Sequence, residues 1–352
     1  MGRYIVRRIL WMCLVLFFIS VITFAMMHAV PGGPFDQEKK LPSEIIANLE
    51  KRYHLDEPYW KQYARYISNI MVPRITREQP TSMLEQTLIN VELGGGYYLR
   101  WANFGPSYTS RSRTVNDIIR EQLPISIQLG LVSMFIALAI GLPMGILAAL
   151  KQNTIWDYLG MSVAIFGVSV PVVAMGPVLV WIFGVALKWL PPTGWGAEPP
   201  YLLFFIPRNP FSWDFWKHVL MPAFAVGTGY SAIIARLSRA SLLQVIHEDY
   251  IRTARAKGLA ERVVTVRHAL RNALIPVVTI LGPMFAAVLT GLFVVEQVFG
   301  IPGLGKYFIT SITNRDYPVI MGTILLYAIF LVVANVIVDI TYAWLDPRIR
   351  YD

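Results

Sequence analysis

The run Gly300-Ile-Pro-Gly-Leu-Gly-Lys306 is where this sequence comes nearest to phosphate chemistry. Its spacing fits the first part of a nucleotide-binding P-loop, in which backbone N–H groups and a lysine cradle phosphates. Two features argue against that use: Tyr307 stands where a magnesium-holding Ser or Thr belongs, and no hydrophobic strand precedes the run. A second stretch, 249–276, carries Arg252, Arg255, Lys257, Arg262, Arg267 and Arg271 between two apolar runs. Its chemistry is that of a docking surface. An Ala-rich helix with Thr253, Ala254 and Ala256, a break at Gly258 and a second amphipathic helix would offer basic side chains to another protein. Glu296, Asn335 and Asp339 fall within or beside apolar runs. Polar groups placed so pair with one another or mark a path. Asn335 and Asp339 share a helix face by their i,i+4 spacing, which leaves a structural or subunit-contact role and a pathway role both open. Glu296 falls at the outer end of its run, where water is close.

No catalytic constellation accompanies them. The sequence has no His-Glu-x-x-His, no paired intramembrane aspartates and no Gly-x-Ser-x-Gly elbow. Its five histidines, His28, His54, His218, His247 and His268, lack metal-ligand spacing. Cys13 is the single cysteine, which excludes a disulfide framework and a multi-cysteine metal site. Neither metal nor cofactor is expected on this chain, and His28 reads as an interfacial residue.

These residues must be positioned by membrane helices. Of 352 residues 55% are hydrophobic and only 15% charged, against about a quarter charged in soluble domains. The net charge of +9 sits beside apolar runs, so topology explains it better than nucleic acid does. Six runs reach the ~20 residues that cross a bilayer as a helix: 9–30, 124–150, 159–187, 219–235, 275–295 and 319–345. The fourth is the weakest, interrupted by Gly227 and Gly229 and closed early by Arg236. With the N-terminus inside, the inner segments hold 14 Lys or Arg, among them Arg348 and Arg350, and the short outer loops 5. Both termini are therefore expected in the cytoplasm, with 236–273 inside and 300–306 outside. Arg3, Arg7 and Arg8 could head a signal peptide, but Pro31 spoils cleavage after Ala29-Val30, so a retained helix is expected. Met12 argues against lipid attachment at Cys13.

The outer segment shows helical spacing at 41–55 (Ile45, Ile46, Leu49, Tyr53) and 59–70 (Trp60, Tyr63, Ile67, Ile70), a break at Gly94-Gly95-Gly96, and a short helix at 115–123. The expectation is an all-α polytopic protein of six spans with a mostly helical external cap. Its divisions are 1–30, the cap at 31–120, a five-span core at 121–346 and a tail at 347–352. Gly141 and Gly145 form a small-xxx-small face beside Pro143 for close helix packing. Gly167 to Pro171 and Gly227 to Gly229 mark helix irregularities.

YIVRRIL near the start, HAVPGGPFD, NFGPSYTSRSRTVNDIIREQLPISIQL, GLPMGILAA, KWLPPTGWG, HVLMPAF, VVEQVFGIPGLGKYF and the final DITYAWLDPRIRYD follow one another in order. With these, the chain resembles the B-type permease subunit of oligopeptide and dipeptide ABC importers, found in the prokaryotic plasma (inner) membrane. The resemblance implies a permease that hydrolyses nothing itself. Its partners would be a second homologous permease, two ATP-binding subunits, an external substrate-binding protein, membrane lipid and a peptide substrate, with no nucleic acid. It also implies that Gly300, Pro302, Gly303 and Gly305 belong to an external re-entrant loop, and that Glu248 to Arg271 form the loop gripped by an ATPase. The general importer signature is Glu-Ala-Ala, three residues, Gly, nine residues, Ile, one residue, Leu-Pro. Aligned on Gly258, it places Arg252, Thr253 and Ala254 at Glu-Ala-Ala, His268 at Ile, Leu270 at Leu and Arg271 at Pro. Only Ala254, Gly258 and Leu270 fit the general form, and the peptide branch is similar to this sequence where they diverge. Glu248 and Asp249 complete the coupling set. The segment 81–101 is longer than the resemblance implies and has no assigned role. Relatives also carry nickel chelates, glutathione or oligosaccharides, and the sequence does not separate these cargoes. A membrane-embedded enzyme or autonomous channel would need the clustered acids, histidines or nucleophile that are missing here.

Overall fold

The computed structural model describes residues 2–35, 42–77, 86–110 and 112–345. The tail 347–352, with Arg348 and Arg350, and the residues 81–85 of the unassigned segment lie outside the described residues. Long apolar helices dominate because a chain in lipid must satisfy its backbone within each segment. Among the described residues, four helices are long and apolar enough to cross a bilayer: Arg7–Ala29, Val115–Leu150, Trp213–Ile246 and Tyr317–Asp339. Two bent pairs, Ile155–Ser169 with Val172–Ala186 and Glu261–Ala273 with Ile275–Leu289, bring the number to six if each pair is one span. The chain divides into two compact units.

One unit comprises Leu10–Ile125 and Gly303–Ile329. It contains most of α1 (Gly2–Ala29), then α2 (Ser43–Tyr53) and α3 (Tyr59–Met71), each preceded by a proline that sets up its first turn. A three-stranded antiparallel sheet follows, β1 (Arg74–Thr76), β2 (Ile89–Gly94) and β3 (Tyr97–Trp101), in the order β1-β3-β2. The segment expected as a mostly helical cap also carries this sheet, which the sequence reading did not include. Gly94, Gly95 and Gly96 all take positive φ, at 90°, 64° and 79°, so they form a hairpin turn between β2 and β3 where the periodicity alone suggested a simple break. Ile89, Val91 and Leu93 alternate with polar residues along β2 and are exposed. The short helix expected at 115–123 is likewise corrected: it is the first turns of α4 (Val115–Leu150), which passes Pro124 without ending. Asn116 ties the sheet end to α4, accepting from Phe104 N at 3.3 Å and donating to Gln86 O at 2.8 Å.

The other unit comprises Met1–Ile9, Ser126–Pro302 and Phe330–Asp352. Its α5 (Ile155–Ser169) and α6 (Val172–Leu179) meet at 97° across Val170 and Pro171, where proline forces the preceding residue out of helix. The third apolar run is thus a bent pair, broken at the irregularity that Gly167 to Pro171 marks, and it loosens into π-type turns over Val180–Ala186. α7 (Trp213–Ile246) corrects the weak fourth span: it is continuous through Gly227, Gly229 and Arg236. Its glycines serve contact rather than interruption. A Cβ at Gly227 would lie 2.8 Å from Ser133 O on α4, and one at Gly145 of α4 only 2.5 Å from Ala235 O on α7. Small residues on both sides let two backbones approach closely, as the spacing of Gly141 and Gly145 predicts. Between α5 and α7, Arg239 donates to both carboxylate oxygens of Asp157 at 2.7 Å, and Asp157 is buried.

Candidate functional site

Two short helical pieces and the turn between them make up the basic segment. α7 gives way at His247, and α8 (Asp249–Ala256) starts with Ile251 N donating to Glu248 O at 3.0 Å. Asp249 in the first turn faces the positive end of the helix dipole. Ile251 is fully buried and Ala254 nearly so. Both join a cluster with Ala149, Leu242, Val264, Ala269 and Ala273. Asp249, Arg252, Thr253 and Arg255 lie on the exposed face. The helical period therefore divides α8 in two: one stripe seats it on the bundle, and the other stands free for a partner. Ala254, placed by the signature, seats the helix rather than facing outward.

Gly258 takes φ +77°, and a Cβ there would meet nothing within 4 Å. Left-handed backbone, not crowding, is what asks for glycine. The turn is braced. Gly258 N donates to Arg255 O at 2.9 Å. Arg255 then donates from Nε and Nη2 to the two carboxylate oxygens of Glu261 at 3.1 and 2.6 Å. Those bonds raise the Arg255 guanidinium pKa further and keep it charged. Asn272 Nδ2 donates to Tyr250 OH at 2.8 Å, tying the start of α8 to the return segment. That segment runs through α9 (Glu261–Val263), π-type turns over Val264–Ala269 and α10 (Leu270–Ala273) into α11 (Ile275–Val298). His268 and Leu270 are half-buried, and Leu270 packs on the cluster that holds Ile251. Arg252, Lys257, Arg262, Arg267 and Arg271 are exposed together with Leu259, Val263 and Val266. Arginines mixed with apolar side chains suit protein contact.

The other expected residues do not gather around this surface. Glu296 corrects its expected place near water: it is 1% exposed and accepts from Ser126 Oγ at 2.6 Å. Its carbonyl accepts from Ile301 N at 2.8 Å, which turns the chain after α11. Asp339 pairs with Arg8 at 2.7 Å, and Asn335 is half-buried one turn earlier. Gly300 takes φ +60° and lies against Thr193, while Pro302 is exposed. Gly303 and Gly305 are buried at the start of α12 (Leu304–Asn314). A helix leads into this run where a P-loop would have a strand. Among the described residues, no group of His, Cys, Asp or Glu could hold a metal ion.

Residues 141–351 match the family model of the binding-protein-dependent transport system inner membrane component, and residues 1–130 match that of its N-terminal region. The chain belongs to this family. It is 39% identical to the dipeptide transport system permease protein DppB of Bacillus subtilis, over 99% of this chain and 98% of that protein. It is 38% identical to the oligopeptide transport system permease protein OppB of Haemophilus influenzae and 37% identical to OppB of Escherichia coli K12, over the whole of each chain. As an inner membrane component of a binding-protein-dependent system, the chain is a multi-pass transport subunit and not an enzyme. It works with ATP-hydrolysing and substrate-binding partners.

Two features of this inner membrane component went unseen in the sequence. The Asp157–Arg239 pair joins residues 82 apart, and its only local signal is an acid at the head of an apolar run. Asp316, which precedes α13 (Tyr317–Leu345), is buried and accepts from Ser107 Oγ and from Tyr108 N at 3.1 Å and Thr109 N at 3.2 Å. Those partners lie more than 200 positions away, so no spacing rule reaches them.

Proposed function

We propose that this chain is the permease subunit of an ATP-driven importer of oligopeptides or dipeptides, forming half of a translocation path with a second homologous permease. Two ATP-binding subunits dock from the cytoplasm, one of them on the exposed face of α8 and the Gly258 turn, and an external binding protein delivers cargo to the outer side. Both termini and the segment 236–273 lie inside, and residues 31–120, with α2, α3 and the sheet, form an external cap. The observation that carries this reading is α8 itself, seated by Ile251 and Ala254 with its basic face free. Full-length identity to peptide permeases supports the choice of cargo. ATP binding and hydrolysis on the partners would press on a braced knob, and the spans joined to it would rearrange between inward and outward access.

The test is ATP-dependent uptake of a labelled oligopeptide by liposomes carrying this chain and its partner subunits. Gly258→Asn should retain uptake, since Asn tolerates the left-handed region. Gly258→Val should lose most of it with the complex still assembled, because a β-branched residue there costs about 1–2 kcal/mol or more. Equal uptake by wild type and Gly258→Val would sink the coupling assignment. An assembled wild type that takes up no peptide would move the cargo to another class.

A further inference from the structure

Within the unit that holds residues 126–302, α5 and α7 meet at three levels in one register. A Cβ at Gly167 would stand 3.6 Å from Thr228 Cβ. Ala164 is buried in a cluster with Ala232 and Ala235. Arg239 then donates to the two carboxylate oxygens of Asp157, each at 2.7 Å. Positions 167, 164 and 157 on α5 meet 228, 232 and 239 on α7, so the helices run antiparallel without slipping. The lowest level is the most exposed to loss. Of residues 155–162 in α5 only Asp157 and Gly160 are buried, and a glycine has no side chain to grip with. Ile155, Trp156, Tyr158 and Leu159 are all exposed. The carboxylate of Asp157 is therefore the buried side chain that holds the first two turns of α5. Asn153 N also donates to it at 3.0 Å, fixing it from the turn before α5. On the other helix, Arg239 stands about one turn before Leu242. Leu242 and Ile251 of α8 are fully buried in one cluster, so the seat of α8 is directly below the pair.

We propose that Asp157 and Arg239 are a positioning pair for transport, tying the head of α5 to α7 so that displacement of α8 is delivered to the bent third span. The inference rests on the coupling role proposed for α8 and extends it to named residues beyond the docking surface. Adhesion alone does not call for an ion pair here. Apolar side chains of similar volume hold two helices as well or better, because burying charge costs desolvation. What two bonds to one carboxylate add is position. A slip of one residue along the helix, about 1.5 Å, would strand both charges. Ionised groups at membrane depth are costly and belong to function more often than to packing. A push on α8 reaches α7 through the shared cluster, and the pair passes it to α5 as far as the 97° corner with α6.

The experiment compares the wild type with the double variant Asp157→Leu, Arg239→Met, each assembled with its partner subunits in liposomes. The double variant exchanges both charges for apolar groups, so its melting temperature and assembly should equal or exceed those of the wild type. A pair that only stabilises the fold would then leave transport untouched. A positioning pair would not: peptide uptake per ATP hydrolysed should fall about fivefold or more, the lower end of ordinary coupling between sites. A second reading needs no cargo. With Cys13 replaced, spin labels at Gln152→Cys, before the head of α5, and Lys257→Cys, beside the Gly258 turn, report the distance between α5 and the knob. Both positions are exposed. That distance should stay constant on ATP addition when Asp157 and Arg239 are present and should change in the double variant. Unchanged uptake per ATP in a folded double variant overturns the proposal. So does a distance that shifts in the chain with the native pair, or one that stays constant in the double variant. A wild type that imports no peptide overturns the cargo reading alone, since the distance still reports on the tie. Full uptake by Gly258→Val sinks the coupling role of α8, on which the tie rests.

Discussion

Asp157 and Arg239 show what a single pair can hold. Both carboxylate oxygens of Asp157 are taken by one guanidinium, and Asn153 N adds a third bond at 3.0 Å. Removing one partner leaves an uncompensated charge in a buried place, which costs about 3–5 kcal/mol in such pairs. Arg239→Met should therefore lower the thermal stability of the detergent-solubilised protein markedly. Asp157→Asn should do the same to a smaller degree, since an amide still accepts from the guanidinium. An unchanged melting temperature in Arg239→Met would show that the pair contributes nothing. The sequence displayed both residues but not their meeting. Arg239 appeared as one more basic residue of an inner segment, because charge counting records a residue's side of the membrane and not its partner. Gly258 was the reverse case: a lone glycine between two helical patterns is a local signal, and its positive φ required only local geometry.

At the level of elements, α4 and α7 are held close by glycines on both sides. A methyl group at Gly145 would stand 2.5 Å from a backbone oxygen of α7, which no side-chain movement relieves. Gly145→Leu should push the helices apart and abolish assembly with the partner subunits. Gly145→Ala should cost about 1–3 kcal/mol of overpacking. Blue-native gels and thermal melts check both, and normal melting of Gly145→Leu would disprove the close approach. Hydropathy located the long helices well because apolar length is a strong signal. It misjudged α7, whose glycines resembled breaks when no neighbour was in view. It also missed the sheet in the outer segment. β1 has three residues and β2 is exposed throughout, so neither buries a face that would give alternation its usual weight.

For the whole molecule, the proposed orientation predicts which positions an impermeant thiol reagent reaches. With Cys13 replaced, Lys257→Cys should react only after the membrane is opened, and Arg208→Cys should react in intact cells. The opposite pattern would invert the topology. The four long helices and the two bent pairs were readable as six apolar runs, while the division into two compact units was not. That division cuts helices at 9/10, 125/126 and 329/330 and a loop at 302/303, and no shift in composition marks a cut inside a continuous apolar helix. The unit containing the sheet joins residues from near the start of the chain to residues 303–329. Ser107 and Asp316 are 209 positions apart. At ordinary ribosomal speeds of about 5–20 residues per second, that separation is on the order of 10–40 s of synthesis. Throughout that interval the hydroxyl and amides of the 107–109 loop await their acceptor, and the strands and aromatic rings of the early segment must persist unsealed. The nascent protein thus passes through a long vulnerable stage that ends only when its last helix is delivered, and the hazard of degradation or mispairing is concentrated there.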